Sequence, residues 1–244
     1  TIFIEPARRG KSHERLYALA DCEPNVLEMM PMLLDRCKRL IIKLSPMVDM
    51  SMLRQEIGRP CRLYVVSLNN ECKEILAVID AQPSEYKQDE CDVTCAVIGR
   101  NGDVKELSFC YDNEPQAPCP IATQAGAYLY EPDTALLKAG MFRSLCNIYN
   151  VEKLHKNSHL YTSQVMIDDF AGRSFRVIEV LPFSSSLCKV FAKQYSACNI
   201  TTRNFPLSAV ELRKKLKVRD GGEVYLFATT MTDNSLVLII CNKV

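Results

Sequence analysis

The sequence lacks the glycine-rich loops by which dinucleotide-binding and P-loop proteins hold phosphate groups, and only 9 of its 244 residues are glycine. It also lacks any apolar run near the ~20 residues that a membrane-spanning helix needs, and it opens with no charged and apolar leader. Its net charge of +1 gives no overall field that would attract a nucleic acid or a membrane surface. These absences predict a cytoplasmic protein without membrane contact, in which any basic surface is local.

The cysteines show neither the close pairs of a zinc site nor the spacing of a small disulfide-rich domain, although the sequence contains 12 of them. They are spread singly through apolar segments, for example at Cys37, Cys72, Cys146 and Cys241. Free cysteine packs as a small hydrophobe. We therefore expect reduced thiols in the core and no metal site.

The composition, with 48% hydrophobic and 24% charged residues, is that of a globular protein and excludes disordered and fibrous classes. A chain of this length buries a sizeable core and corresponds to one large or two ordinary domains. We expect an α/β sheet domain at residues 1–112, a linker and bridging helix at 113–159, and a small α+β domain at 160–244. The bridging helix is expected to start at Pro132 and Asp133, with one face formed by Leu137, Met141, Leu145 and Ile148.

The first residues indicate a buried strand that ends at a site. Ile2, Phe3 and Ile4 are apolar, and Glu5 and Pro6 follow at once. Proline donates no hydrogen bond to a sheet and pushes the residue before it toward extended geometry, so the strand ends at Glu5. Open α/β sheets bind ligands at this carboxyl edge. A solvated strand end with surface arginines is the alternative interpretation.

The next segments predict a parallel unit that closes with a hairpin. Asp21–Pro24 predicts a helix start. The helical pattern after it leads into the apolar strand 40–44, which also ends before a proline, Pro46. Strand, helix and strand in this order are typical of a right-handed parallel crossover. Residues 63–66 and 75–79 are too close in sequence to pair in parallel and predict an antiparallel hairpin. Residues 93–98 and 104–111, joined through Asn101-Gly102, predict a second hairpin. Glu5 and Lys43 then end neighbouring strands at one edge.

Five segments carry a more specific resemblance: Glu5-Pro6-Ala7-Arg8-Arg9, Lys43-Leu44-Ser45-Pro46-Met47, Asn69–Glu74, Tyr130-Glu131-Pro132 and His155–Tyr161. Over essentially the whole chain they resemble a bacterial family of class I S-adenosylmethionine-dependent methyltransferases with a C-terminal THUMP-like domain. The resemblance implies the second half of a Rossmann-like methyltransferase sheet, followed by a THUMP-like α+β domain. It also implies that the glycine-rich and acidic strands that bind the cofactor precede Thr1, so we expect S-adenosylmethionine to bind the intact protein and not this chain alone.

The same resemblance implies roles for individual residues. Glu5, Pro6 and Lys43 are the expected catalytic residues, although the acid is aspartate in the family pattern. RNA is the expected substrate and partner, because THUMP-like domains accompany RNA-modifying enzymes. The candidate substrate-binding residues are Arg8, Arg9, Asn69, Asn70, His155, Asn157, His159, Arg203, Lys214 and Lys215. For the two histidines of 155–159, the intervening Asn157-Ser158 favours a loop over a metal-binding helix, and a purely structural loop is the alternative to a role in binding.

The C-terminal segment is locally basic. Residues 160–244 contain eleven Lys and Arg against seven Asp and Glu, a balance of +4 that leaves the rest of the chain at −3. Five of these cations lie between Arg213 and Arg219. Such a basic face suits phosphate binding, and a solvated helix face explains it equally well. The segment also contains a capping box at Ser208 and Glu211, which predicts a helix start, and Gly221-Gly222 is expected to end that passage.

Two further expectations concern partners and function. If the usual strand order holds, the segment Ile2–Ile4 is an unpaired apolar edge, which another part of the protein, a second copy or rearranged local chain would cover. The leading function is a fragment of an RNA methyltransferase that is inactive alone. The alternatives are a non-catalytic RNA-binding or interaction module with a degenerate sheet, and a methyltransferase for small molecules or proteins.

Overall fold

A computed structural model of the protein describes residues 1–8, 19–82 and 92–244, which divide into two compact units. The first comprises Thr1–Gln116 and Asp133–Met141, and the second comprises Ala117–Pro132 and Phe142–Val244. The chain thus passes between the units three times. No helix among the described residues is long and apolar enough to cross a membrane.

The first unit is built on a six-stranded mixed sheet. Its strands are β1 (Ile2–Ile4), β4 (Arg39–Leu44), β5 (Arg62–Leu68), β6 (Glu71–Asp80), β7 (Val93–Ile98) and β8 (Val104–Phe109). The strand order is β1-β4-β6-β5-β7-β8. Two short strands, β2 (Ala7–Arg8) and β3 (Cys22–Glu23), pair separately.

Strand directions in this sheet follow the predicted scheme. β1 pairs in parallel with β4, and β6 lies antiparallel between β4 and β5. β1, β4 and β5 therefore all run in one direction, with the reversed strand inserted among them. β7 adds in parallel to β5, and β8 returns as the second hairpin. Both predicted hairpins, the second turning through Asn101 and Gly102, are confirmed.

The α-helices among the described residues of this unit are α1 (Val26–Arg36), α2 (Met50–Ile57) and α3 (Thr134–Ala139). The predicted helix start at Asp21–Pro24 is wrong, because Cys22 and Glu23 are in β3 and the side chain of Asn25 caps α1. α1 buries Val26, Met30, Leu33 and Leu34, as its 3.6-residue periodicity predicts.

The predicted single helix after Pro132 is also wrong. It is divided into α3 and α4 (Ser144–Tyr149) because Gly140 adopts φ +81° and ends α3. Glycine takes this left-handed conformation without a steric penalty. α3 packs on β5, β6 and β7 of the first unit, whereas α4 belongs to the second unit.

The second unit contains a seven-stranded sheet. Its strands are β9 (Tyr128–Pro132), β10 (Glu152–Lys153), β11 (Tyr161–Ser163), β12 (Gly172–Pro182), β13 (Ala197–Arg203), β14 (Arg219–Thr230) and β15 (Leu236–Lys243), in the order β10-β11-β9-β12-β15-β14-β13. β13 pairs in parallel with β14, and the other neighbours are antiparallel.

Each face of this sheet has its own core. One face packs under α5 (Ser185–Gln194) and α6 (Ala209–Leu216) through Phe191, Leu212 and Leu216. The other face packs Leu129, Phe175 and Phe227 against Leu154 and Leu160, which lie outside the strands. The predicted α+β pattern and the capping box at Ser208 are confirmed. The pair Gly221-Gly222 lies inside β14 rather than after the helix, whose end is capped by Lys217.

Candidate functional site

At the carboxyl edge of the first sheet, the ends of β1 and β4 bring an acid and a cation together. Lys43 Nζ donates a hydrogen bond to Glu5 Oε1 at 2.9 Å and lies 3.6 Å from Glu74 Oε2. Lys43 and Glu5 are neighbours because Ile4 is paired with Ile42 in the parallel register. The predicted proximity of Glu5 and Lys43 is therefore what the structure shows.

This three-residue cluster is open to solvent. The Glu5 side chain is 59% exposed, whereas Pro6 after it is buried. The hydrogen bond to Glu5 is the largest cause that raises the pKa of Lys43, and the charge of Glu74 adds to it. Lys43 is therefore a fixed cation, and the cluster of one ammonium and two carboxylates presents a net negative charge.

Other predicted residues of this unit lie at neighbouring turns. Asn69 and Asn70 form the β5–β6 turn with φ of +54° and +65°, and Asn70 Oδ1 accepts a hydrogen bond from Thr134 N at 3.3 Å. These conformations give both residues a structural role in the hairpin turn. Arg8 is in β2, and Arg9 lies outside the described residues.

A cleft of about 790 Å³ lies at the opposite edge of this sheet, where β1 and β4 begin. Its lining includes Thr1, Arg36, Lys38, Arg39 and Asp80. The predicted site residues that the structure describes do not line it.

In the second unit, His155 and Asn157 belong to one hydrogen-bonded turn. His155 is buried, and its Nδ1 accepts a hydrogen bond from the backbone N–H of Asn157 at 3.1 Å. The side-chain nitrogen of Asn204 lies 2.9 Å from the same Nδ1. His155 thus fixes the loop to the end of β13.

His159 lies beside this turn in a different environment. Its ring stacks on Phe142 with centroids 3.9 Å apart, and its backbone φ is +48°. Burial is the largest cause that lowers the pKa of His159 to about 4, and the positive charges of Lys153 and Arg203 lower it further. His159 is therefore a neutral imidazole at pH 7, close to two cations.

Arg203 ends β13 and forms a charged cluster that no sequence pattern predicted. Its Nε and Nη2 donate to Glu131 Oε1 at 3.1 and 2.8 Å. Arg173 donates to the other oxygen of Glu131, from Nε at 2.8 Å and from Nη2. Glu131 is only 3% exposed, whereas the two arginine side chains are 33% and 39% exposed.

The Glu131–Arg203 contact reveals the curvature of the sheet. β9 and β13 are four places apart in the strand order, so a flat sheet would separate them by about 19 Å at 4.8 Å per strand. Because their side chains touch, this face is concave. Glu131, Arg173, Arg203 and Thr229 lie on it, since Glu131 pairs with Arg173 and Arg203 pairs with Thr229.

The last two predicted residues lie apart from this cluster, on α6. Lys214 is exposed, and Lys215 Nζ lies 5.3 Å from the centroid of the Phe183 ring. Arg213 of the same helix pairs with Asp220. The structure thus groups His155, Asn157, His159 and Arg203, while Lys214 and Lys215 form a separate helical surface.

One signal for Glu131 was present in the sequence. An acid inside the apolar stretch Tyr128–Pro132 implies a buried carboxylate, which needs a cationic partner. Nothing in the sequence identified Arg173, Lys153 or Thr229. Among the described residues, no three His, Cys, Asp or Glu side chains are grouped as metal ligands.

Comparison with known proteins agrees with the resemblance found in the sequence. A THUMP domain-like family model matches residues 172–243, and a ferredoxin-like domain model matches residues 128–170. The curated proteins gave no match. The crystal structure of a putative methyltransferase from Porphyromonas gingivalis W83 superposes with a TM-score of 0.89 and 38% sequence identity.

That match covers 99% of this chain and 59% of the P. gingivalis chain, so this chain spans less than two thirds of its relative. The expected similarity to a methyltransferase with a THUMP-like domain is confirmed. This chain is thus similar over nearly its whole length to the P. gingivalis protein, and it carries a THUMP-like domain at residues 172–243.

Proposed function

We propose that this chain is part of an S-adenosylmethionine-dependent methyltransferase that acts on RNA. The observation that carries this proposal is the strand arrangement of the first unit, in which β6 lies reversed between the parallel strands β4 and β5. The second half of a Rossmann-like class I methyltransferase sheet ends in the same way. The similarity to the P. gingivalis protein supports this assignment.

The carboxyl edge of the first sheet, where Glu5 and Lys43 lie, suits the methyl acceptor better than the methyl donor. Among the described residues, the ends of β1, β4 and β5 and the residues directly after them provide a carboxylate, an ammonium group and asparagines (Glu5, Lys43, Asn69 and Asn70), but no glycine that would let the backbone approach a nucleoside. These residues do not by themselves fit the adenosine and methionine parts of S-adenosylmethionine. We therefore assign them to the acceptor, and the proposed donor site belongs to the intact protein.

In this assignment Glu5 orients the acceptor group. Its exposed carboxylate accepts a hydrogen bond from an amino or hydroxyl hydrogen of the RNA, and Pro6 fixes the backbone from which it extends. Lys43 holds the carboxylate in place through the 2.9 Å contact. Alignment of the acceptor atom is the main contribution that such a site makes to a displacement reaction.

The second unit supplies the proposed RNA contacts. Its THUMP-like part carries the exposed cations of α6, including Lys214, and Arg203 lies at the end of β13. Phosphate contacts by Lys and Arg release counterions, so affinity falls with salt. We expect the double variant Lys214→Gln, Lys215→Gln to bind RNA with a salt slope shallower by about 1.4, at about 0.7 for each phosphate contact on a single strand.

Transfer of a labelled methyl group from S-adenosylmethionine to total RNA tests the proposal. We expect Glu5→Gln to lower the turnover of the protein extended upstream in its gene by about 100-fold, because the loss of one preorganised hydrogen bond at a reacting group costs about this much. Glu106→Gln is the control, since Glu106 is an exposed carboxylate on β8 of the same sheet. Equal turnover of the two variants would remove Glu5 from the site.

A second candidate function is a non-catalytic RNA-binding module. It is favoured by the ion pair between Lys43 and Glu5, which occupies the carboxylate that the reaction requires. RNA binding that weakens steeply with salt, without methyl transfer by any form of the protein, would support this candidate.

A further inference from the structure

The concave face of the second unit carries more positive charge than its carboxylate neutralises. Arg173 and Arg203 share the single carboxylate of Glu131, so one positive charge of this trio is not balanced within it. Each arginine uses Nε and Nη2 for Glu131, which leaves both Nη1 groups without a described partner. Both side chains are partly exposed and accessible to a ligand.

Two buried polar atoms near Arg203 also lack partners. Thr229, which is fully buried, lies directly opposite Arg203 in the β13–β14 register, and its Oγ1 forms no hydrogen bond with the described residues. His159 Nδ1 is also buried, and no described residue forms a hydrogen bond with it. A buried hydroxyl or imidazole without a hydrogen bond is unfavourable, so such groups in native proteins mark a bound water, ion or ligand.

Lys153 adds a further cation to the same place. Its ammonium group lies 5.4 Å from the centroid of the Phe142 ring, and that ring also stacks on His159. Lys153 and Arg203 both lower the pKa of His159, so both charges lie close to its ring. Cations of different strands thus converge beside hydrogen-bonding groups without partners, which is the arrangement that anions with several oxygens require.

We propose that this concave face binds one phosphate group, held by Arg203 and Lys153 with hydrogen bonds from the Thr229 hydroxyl and a ring nitrogen of His159. This proposal rests on the proposed RNA function, because that function identifies the natural ligand as a phosphate group of RNA. The phosphate belongs to an RNA backbone or to a free nucleotide, because both present the same oxygens.

Proton NMR of the His159 ring in this chain, titrated with inorganic phosphate at pH 6 to 7, tests the site. We expect a saturable shift of the His159 resonance and a rise in its pKa, because a bound anion offsets the two cations. Thr229→Val should weaken phosphate affinity by about tenfold, the contribution of a hydrogen bond to a charged group. Valine has nearly the same shape, so this variant should fold normally.

Thr202→Val on β13 is the matched control, and it should bind phosphate as the unmodified chain does. Arg203→Gln provides a second variant, in which saturable binding should be lost while Arg173 still neutralises Glu131. The proposal is overturned if phosphate leaves the His159 resonance unchanged, or if Thr229→Val and Thr202→Val bind it equally.

A short single-stranded RNA and a nucleoside monophosphate distinguish the two sources. If RNA displaces phosphate at the His159 resonance, the site holds a backbone phosphate and supports the RNA function. If only the mononucleotide displaces it, the phosphate site stands while its assignment to RNA fails. If RNA binds the protein without affecting the His159 resonance, RNA binds elsewhere. The RNA function then stands, and the proposal that this phosphate site contacts RNA is overturned.

Discussion

Ser67 on β5 donates a hydrogen bond of 2.5 Å to Asp133, although 66 positions separate them in the sequence. Both residues are buried, and the same carboxylate oxygen of Asp133 caps α3 by accepting from Ala135 N at 2.8 Å. α3 is the one segment of the first unit that lies beyond residue 116. This hydrogen bond therefore fixes the returning helix to the sheet that carries the candidate site.

Removing the Ser67 hydroxyl should destabilise the protein. In Ser67→Ala a buried carboxylate oxygen loses one partner, and we expect the free energy of unfolding to fall by about 2 kcal/mol. Urea unfolding followed by circular dichroism measures the change. Ser108→Ala is the control, because Ser108 is exposed on β8, and it should change stability by less than about 0.5 kcal/mol. Equal effects of the two substitutions would contradict this assignment.

The buried carboxylate of Glu131 should stabilise the second unit as strongly as the hydrogen bond between Ser67 and Asp133 stabilises the first. Glu131→Gln keeps the shape of the side chain but leaves Arg173 and Arg203 facing each other without a negative charge. We expect a loss of about 2 kcal/mol, since breaking a buried ion pair costs more than its formation contributes. Glu223→Gln removes an exposed carboxylate of β14 and should cost about 0.5 kcal/mol or less. A loss for Glu131→Gln no larger than that would contradict the burial argument.

The stability of the protein should depend on pH through His159. Its folded pKa is about 4 against an ordinary value of 6.5, so between these values the unfolded chain binds the proton and the folded chain does not. The stabilisation from folding with a neutral His159 is fully present above pH 6.5. It is lost as the pH falls toward 4, and the free energy of unfolding decreases by up to about 1.4 kcal/mol per pH unit. Urea unfolding of the chain and of His159→Gln at pH 7 and pH 5 tests this. The variant should lose less stability at pH 5, and an equal loss would contradict the environment assigned to His159.

One thiol pair should be open to oxidation. Cys119 Sγ lies 3.3 Å from Cys146 Sγ, whereas a disulfide bond requires about 2.05 Å, so a small movement is enough. Hydrogen peroxide would take two hydrogens from the thiols, giving one disulfide and two molecules of water. Peptide mapping should find this link and a higher melting temperature, since the bond closes a loop between residues 27 positions apart. Cys188→Ser should leave the link intact, and a thiol count unchanged by peroxide would contradict the prediction.

The sequence predicted those parts of the fold whose causes are local. The hairpin at Asn101-Gly102 and the capping box at Ser208 form where their residues require them, because turn and cap geometry depend on a few neighbouring side chains. The break at Gly140 was missed because helical periodicity continues on both sides of it. The end of α6 at Lys217 gave no glycine signal, since a lysine adopts the left-handed conformation there.

Only the part of the candidate site that lies at the ends of neighbouring strands could be predicted from the sequence. Glu5 and Lys43 end neighbouring parallel strands, and strand endings can be identified from proline and from apolar runs. The cluster around Glu131 depends instead on the curvature of a seven-stranded sheet, which brings Arg203 to a strand four places away. Curvature is a property of the whole sheet, so no local pattern could have shown that contact.

The most direct test of the methyltransferase assignment is a calorimetric titration of S-adenosylmethionine into this chain and into the protein extended upstream in its gene. We expect saturable binding by the extended protein and none by this chain, because the described strand ends suit the acceptor and not the donor. Binding by neither protein would contradict the assignment and favour the non-catalytic RNA-binding module. Binding by this chain alone would contradict the placement of β1, β4 and β5 in the second half of the sheet.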